Sequence, residues 1–144
     1  MLMTWPLFRR HPGLMTRRWV HEEYTAFART ERRRIMMSIA RFAHINRPIE
    51  GCYFEFGCHS GRTFSAAVRA TRYLKMKDVQ FFAFDSFQGL PKTSHAEDGY
   101  FQSGTFATGA NEFVRLVRGL SGLSLDRKNI IEGFYEKSLT PELQ

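Results

Sequence analysis

The chain has 144 residues, 43% of them hydrophobic and 15% aromatic, which suits one domain with a real core and excludes an intrinsically disordered chain. Its apolar runs, such as YFEF and FFAF, are far shorter than the roughly 18 residues a membrane span needs and are broken by charge, so a soluble, cytoplasmic protein with no membrane partner is expected. The formal charge of +7 is uneven: residues 1–50 hold ten Arg and four Glu, a balance of +6, whereas residues 51–144 hold eleven basic and ten acidic groups, a balance of +1.

A basic cluster of this kind can meet nucleic acid, an anionic lipid surface or a phosphorylated substrate. Aromatic and basic residues do not interleave as a single-strand platform requires, so the arginines read first as a solvated helix face. The leading MLMTWPLFRRHPGLMTRRW is basic and free of acids, but it has no Ser and no clear amphipathic face and is not read as a transit peptide.

In chain order, Pro6, Pro12 and Gly13 interrupt residues 1–19, predicting an irregular arm with Trp5, Leu7 and Phe8 free to dock. Val20, Tyr24 and Phe27 then recur at helical spacing, and Ile35, Ile39, Phe42 and Ala43 continue the pattern. Two helices or one bent helix are expected, with Thr30 as N-cap of the second, Arg32, Arg33 and Arg34 on the wet side, and Pro48 ending it. Residues 1–50 are thus a basic N-terminal arm and helices.

Gly51 to Phe64, GCYFEFGCHSGRTF, reads as strand, tight turn and helix. Such a junction presents backbone N–H groups and a helix N-terminus at the carboxyl end of a strand, where small ligands bind in open α/β sheets. Gly57 can take positive φ at the turn, and Gly61 would let a ligand approach the backbone closely. Glu55 is unusual, because a carboxylate ending an apolar strand needs hydrogen-bond donors if it is buried; a cationic or hydroxyl-bearing ligand would supply them. Cys52 and Cys58 are six residues apart across a strand end, too far for a disulfide in an extended chain, so reduced thiols are expected. Neither these cysteines nor His59 completes a metal site.

Thr63 to Leu74 reads as a helix with Phe64, Ala67, Val68 and Leu74 inward, and Val79 to Asp85, VQFFAFD, as a second apolar strand ending on an acid. Two strands joined by one helix in so short a span predict a parallel pair with a right-handed crossover, hence an α/β fold. Asp85 lies 24 residues after Gly61, at the tip of the neighbouring strand, where an acid can accept hydrogen bonds from a nucleoside ribose lying across the first turn. Ser86 to Gly109 is long enough to be a functional lid. A helix from Asn111 to about Gly119, with Phe113, Leu116, Val117 and Leu120 apolar, and a brief strand from Asn129 to Glu132 before a turn at Gly133 complete the pattern.

Four blocks now stand together: Glu55-Phe56-Gly57 with Gly61; Phe84-Asp85-Ser86-Phe87-Gln88-Gly89-Leu90-Pro91; Gly104-Thr105-Phe106; and Ile131-Glu132-Gly133-Phe134 with Ser138-Leu139. In this combination the chain resembles the class I S-adenosylmethionine-dependent methyltransferases, within them the macrocin O-methyltransferase group, over about residues 30–139. FDSFQGLP is the most specific block. The resemblance implies a partial Rossmann-like doubly wound parallel sheet, its first three strands, with N-terminal helices; residues 51–144 would be the N-terminal half of such a domain. It implies S-adenosylmethionine as cofactor, with Glu55, Gly57 and Gly61 at the methionine end, Asp85 on the ribose hydroxyls, Ser86 and Phe87 bordering the adenine, and Gly133 and Phe134 closing its far side. The acceptor would be a sugar or other small-molecule hydroxyl.

In that family a later aspartate-rich strand binds a divalent metal, Mg, and no candidate for it is found in these 144 residues; Lys137 also stands where relatives often have an acid. The chain is therefore expected to be the front half of a methyltransferase, inactive alone, with its first strand at an open edge and self-association left open. No catalytic residue is assigned: His95, in the long loop, is the one histidine considered as general base, and an exposed loop histidine is the plainer reading. A nicotinamide-binding oxidoreductase fragment is the first alternative, but its fingerprint would need glycines where His59 and Arg62 stand. A non-enzymatic basic module binding nucleic acid is the second.

Overall fold

The computed structural model describes residues 17–46, 51–92 and 102–140. Helix α1 (Arg17–Ile45) is followed by β1 (Gly51–Phe56), α2 (Arg62–Tyr73), β2 (Val79–Asp85), α3 (Ala110–Ser121), a 3-10 turn (Arg127–Asn129), β3 (Ile130–Glu132) and the one-turn α4 (Tyr135–Ser138). The strands form a three-stranded parallel sheet in the order β1-β2-β3, so the fold is mixed α/β. Glu55 pairs with Ala83 and Phe56 with Phe84, while Asp85 pairs with Glu132. Pairing continues past the strand ends: Gly57 N–H donates to the Phe84 carbonyl at 2.9 Å, and Gly133 N–H to the Asp85 carbonyl at 3.0 Å.

The N-terminal expectations need correction. Of the two helices or one bent helix expected, the structure has a single continuous element, α1, of 29 residues. Nothing between Val20 and Ile45 breaks it: Ala, Arg, Glu and Met dominate and Gly and Pro are absent. Thr30 is consequently no N-cap; its hydroxyl donates back to the Ala26 carbonyl at 3.1 Å, as a mid-helix threonine does. The irregular arm does not reach residue 19, since α1 already includes Arg17, Arg18 and Trp19. Residues 1–16, Pro48 and the loop segment 93–101 with His95 lie outside the described residues.

α1 meets α2 through its small and flexible side chains. Ala40 is buried there with Ala70 and Met76, and Met36, Met37 and Ala43 pack around them. Of the apolar residues whose spacing announced the helix, Ala43 alone faces α2, and the others point elsewhere: Val20, Tyr24, Phe27, Ile35, Ile39 and Phe42 are all exposed.

α2 is a strong helix on one face. Phe64, Ala67, Val68 and Thr71 follow the i, i+3, i+4, i+7 rule and are buried. It closes as a Schellman motif, with Met76 N–H donating to the Thr71 carbonyl and Lys75 N–H to the Arg72 carbonyl, both at 3.0 Å. Lys75 takes the left-handed conformation there (φ 58°). α3 adds Phe113 and Val117, one turn apart, both fully buried; Leu120 is exposed. The Arg72 side chain reaches the Ser121 carbonyl and so joins α2 to the carboxyl end of α3, the end that favours a cation. Phe64 lies at the centre of the core, edge-on to Tyr53 and Phe113 at 5.8 and 5.5 Å.

Candidate functional site

A cleft of about 400 Å3 opens at the carboxyl ends of the strands. Each strand contributes its tip: Gly57 after β1, Asp85 and Ser86 from β2, Gly133 and Phe134 after β3. Leu90, Pro91, Thr105 and Phe106 form another wall, and Tyr135 and Glu136 of α4 complete the lining. The chain from Ser86 to Pro91 and the stretch around Thr105 are far apart in sequence yet clamped together. Leu90 N–H donates to the Thr105 carbonyl at 3.0 Å, and Gly104 N–H to the Leu90 carbonyl at 2.9 Å.

Asp85 organises the site. Its Oδ2 accepts the backbone N–H groups of Cys58 at 2.6 Å and His59 at 3.0 Å, and its Oδ1 accepts that of Phe87 at 2.8 Å. One carboxylate at the tip of β2 therefore holds the loop after β1 and starts the turn after β2. Such charge-assisted bonds are about twice as strong as neutral ones. Ser86 supports the same turn: its hydroxyl donates to the Gly89 carbonyl at 3.0 Å and accepts from Gln88 N–H at 3.2 Å.

His59 also lines the cleft, and its Nδ1 lies 2.9 Å from the Phe106 carbonyl. A carbonyl oxygen only accepts, so Nδ1 carries the proton, which leaves Nε2 as an acceptor in the neutral ring. The backbone is strained at this place. His59, Phe87 and Phe106 all have positive φ, at 43°, 55° and 64°, a conformation that costs non-glycine residues about 1–3 kcal/mol and gathers at functional sites.

Five of the eight residues expected to bind a ligand line the cleft: Gly57, Asp85, Ser86, Gly133 and Phe134. The other three stand behind it. Glu55 points to the helix-covered side, where Tyr53 donates its hydroxyl proton to Oε2 at 2.5 Å. Burial raises the Glu55 carboxyl to about 7, against the lowering effects of the Tyr53 hydroxyl, the Phe64 backbone N–H and Arg32. Its donors thus come from within the chain. Gly61 takes φ 66°, but the close approach it permits is by α3: a Cβ there would lie 2.8 Å from Val117 Cγ2 and 2.9 Å from Phe113 Cε2. Phe87 is buried against Phe113, with ring centroids 5.5 Å apart.

Sequence reasoning missed His59, Tyr135 and Glu136 as lining residues and gave no site role to Gly89, Leu90, Pro91, Thr105 and Phe106. Tyr135 closes over Gly57, its hydroxyl 3.7 Å from where a Cβ would be; burial and then the Asp85 charge raise its phenol above the usual range. The signal available for Tyr135 was its place just after the Gly133 turn. His59 offered only its position between the two loop glycines. Asp85 also helps raise Glu55 and Cys58, though burial is the largest cause for both. Both cysteines are free, Cys52 exposed and Cys58 buried.

Among the described residues no group of three or more His, Cys, Asp or Glu could hold a metal ion. Among them, too, no helix is long and apolar enough to cross a membrane. No protein-family model, no curated protein and no solved structure matches the chain.

Proposed function

We propose that the cleft binds S-adenosylmethionine and that the chain is the cofactor-binding part of a Rossmann-like O-methyltransferase acting on a sugar or other small-molecule hydroxyl. The observation that carries this reading is the bonding of Asp85 to the Cys58 and His59 N–H groups. It joins the acid at one strand tip to the glycine loop at the next, at the carboxyl ends of the strands, where ligands bind in open α/β sheets.

The residues present fit the cofactor's chemistry. A carboxylate has about four acceptor sites, and three on Asp85 are used within the chain, so one remains for a ribose hydroxyl. Phe134, Leu90 and Pro91 offer apolar surface to a base, and the Asp85 and Glu136 carboxylates in the lining suit a cation. When bound, the cofactor supplies a methyl group on a positively charged sulfur. The chain's part is to bind and orient it: Asp85 holds the ribose, Ser86 and Phe134 border the adenine, and Gly57 and Gly133 leave room for the rest. Glu55, Gly61 and Phe87 act from behind by fixing the loop that carries Gly57. The described residues do not supply a metal donor set, and the reading uses no metal.

Calorimetric titration of the chain with S-adenosylmethionine tests the proposal. Saturable binding is expected, weakened roughly tenfold or more by Asp85→Asn and severalfold by Phe134→Ala, each checked for retained secondary structure. Absence of binding, or tight binding of NAD in its place, overturns it.

A further inference from the structure

We propose that α1 docks the protein on an anionic lipid surface, lying in the plane of the interface. The inference does not depend on what occupies the cleft. Val20, Tyr24, Phe27, Ile35, Ile39 and Phe42 recur at steps of three or four residues, with Glu31 standing between Phe27 and Ile35, and each of the six is between 52% and 72% exposed. From Val20 to Phe42 the stripe runs about 33 Å along the helix. Met36, Met37, Ala40 and Ala43 face α2, so the stripe stands on the side turned away from the domain. A soluble protein seldom leaves so long an apolar surface open without a partner.

Charge identifies the partner. α1 carries seven Arg and three Glu, a balance of +4. At 3.6 residues per turn, Arg34 and Arg41 fall along one flank of the stripe, with Glu23 among them, and Arg32 along the other. The exposed Arg34 pairs with Glu31 at 3.1 Å, which leaves the remaining arginines as the excess. An apolar face with aromatic residues bordered by arginines is the pattern of a helix that settles at the boundary between headgroups and acyl chains.

Two other occupants fit less well. Antiparallel pairing of two α1 stripes would set each basic flank against the same flank of a second copy, and like charges repel. Nucleic acid would use the arginines but leave the aliphatic residues in water. The sequence expectation of no membrane partner concerned spanning, for which no apolar run is long enough; lying on the surface needs only one apolar face.

Flotation of the full chain with vesicles tests the proposal. Binding is expected to vesicles of phosphatidylcholine mixed with phosphatidylglycerol, roughly tenfold tighter than to phosphatidylcholine alone, and weaker at high salt. The paired exposed changes Phe27→Ser and Phe42→Ser should each be tolerated by the fold and together weaken binding roughly tenfold. Arg34→Ala with Arg41→Ala should do the same, with circular dichroism confirming the helix in both variants. No flotation with anionic vesicles overturns the proposal, as does flotation that neither variant changes. Light scattering that shows a dimer dissociated by the Phe27→Ser and Phe42→Ser pair overturns it in favour of a second copy.

Discussion

The two faces of the sheet are built from nearly the same residues and are covered unequally, although Phe84 on the more open face is itself buried. On one face Tyr53, Phe81 and Ala83 meet Phe64 and Phe113 of the helices, and Phe64, Ala83 and Phe113 are 0% exposed. On the other, Phe54 stacks on Phe82 and Phe56 on Phe84, with centroids 5.4 and 4.6 Å apart, yet Phe54 and Phe56 remain 53% and 54% exposed. Strands of parallel sheets are apolar on both sides because such sheets are covered on both. Here α2 and α3 are successive crossovers of the same hand between strands in simple order, which puts them on one side. The contrast teaches that strand chemistry marks a face for covering, while connectivity decides which face is covered.

The largest expected effect breaks the covered face. Phe64→Ala should cost about 3–5 kcal/mol in urea unfolding, from lost burial and the cavity left behind. Phe54→Ala, on the open face, should cost about 1 kcal/mol or less. Equal losses would mean that the second face is covered in solution.

A slightly smaller effect sharpens the same contrast, because Glu55 is an acid on the covered face. Folding raises its carboxyl from 4.5 to about 7. The folded chain therefore holds this proton more tightly than the unfolded chain, and protonation favours folding. Stability linked to Glu55 is complete below about pH 4.5, declines as the pH rises, and is lost above about pH 7, a difference of about 3 kcal/mol. Glu55→Gln keeps the Tyr53 hydrogen bond and should remove this slope, leaving a more stable protein at pH 8. Unfolding curves at several pH values measure it, and an unchanged slope would show that Glu55 is ionised and well solvated.

The smallest of the three concerns the contact between α2 and α3. Gly61→Ala adds a Cβ against Val117 and Phe113 at a residue with φ 66°, and should cost about 2–3 kcal/mol. Gly119→Ala, in α3 with open space around the added methyl, should be neutral or slightly stabilising. If the two behave alike in thermal melts, α3 does not press on the loop that Gly61 ends.

Much of the order of elements was legible in the chain. FFAF and YFEF announced two strands, the glycines between Phe56 and Arg62 announced the turn, and Phe64, Ala67 and Val68 announced the helix face. The parallel pairing followed from a single helix between two strands. α1 was harder to read, since its residues with clean helical spacing are the exposed ones, whereas it packs on α2 through methionines and alanines, which have weaker pattern signals. Glu55 and Asp85 were both recognised as acids at strand tips, but hydropathy does not tell which way a terminal carboxylate turns.

Local chemistry alone determined where this protein has strands, turns and an amphipathic α2, because side-chain periodicity and glycine conformation act over a few neighbouring residues. Tertiary structure decided the rest: that Asp85 binds the backbone of Cys58 and His59, that Glu55 turns toward Tyr53, and that His59 reaches the Phe106 carbonyl. Those contacts join residues on different strands and loops. Their existence depends on how the sheet twists and where the helices settle, and so on packing across the whole domain.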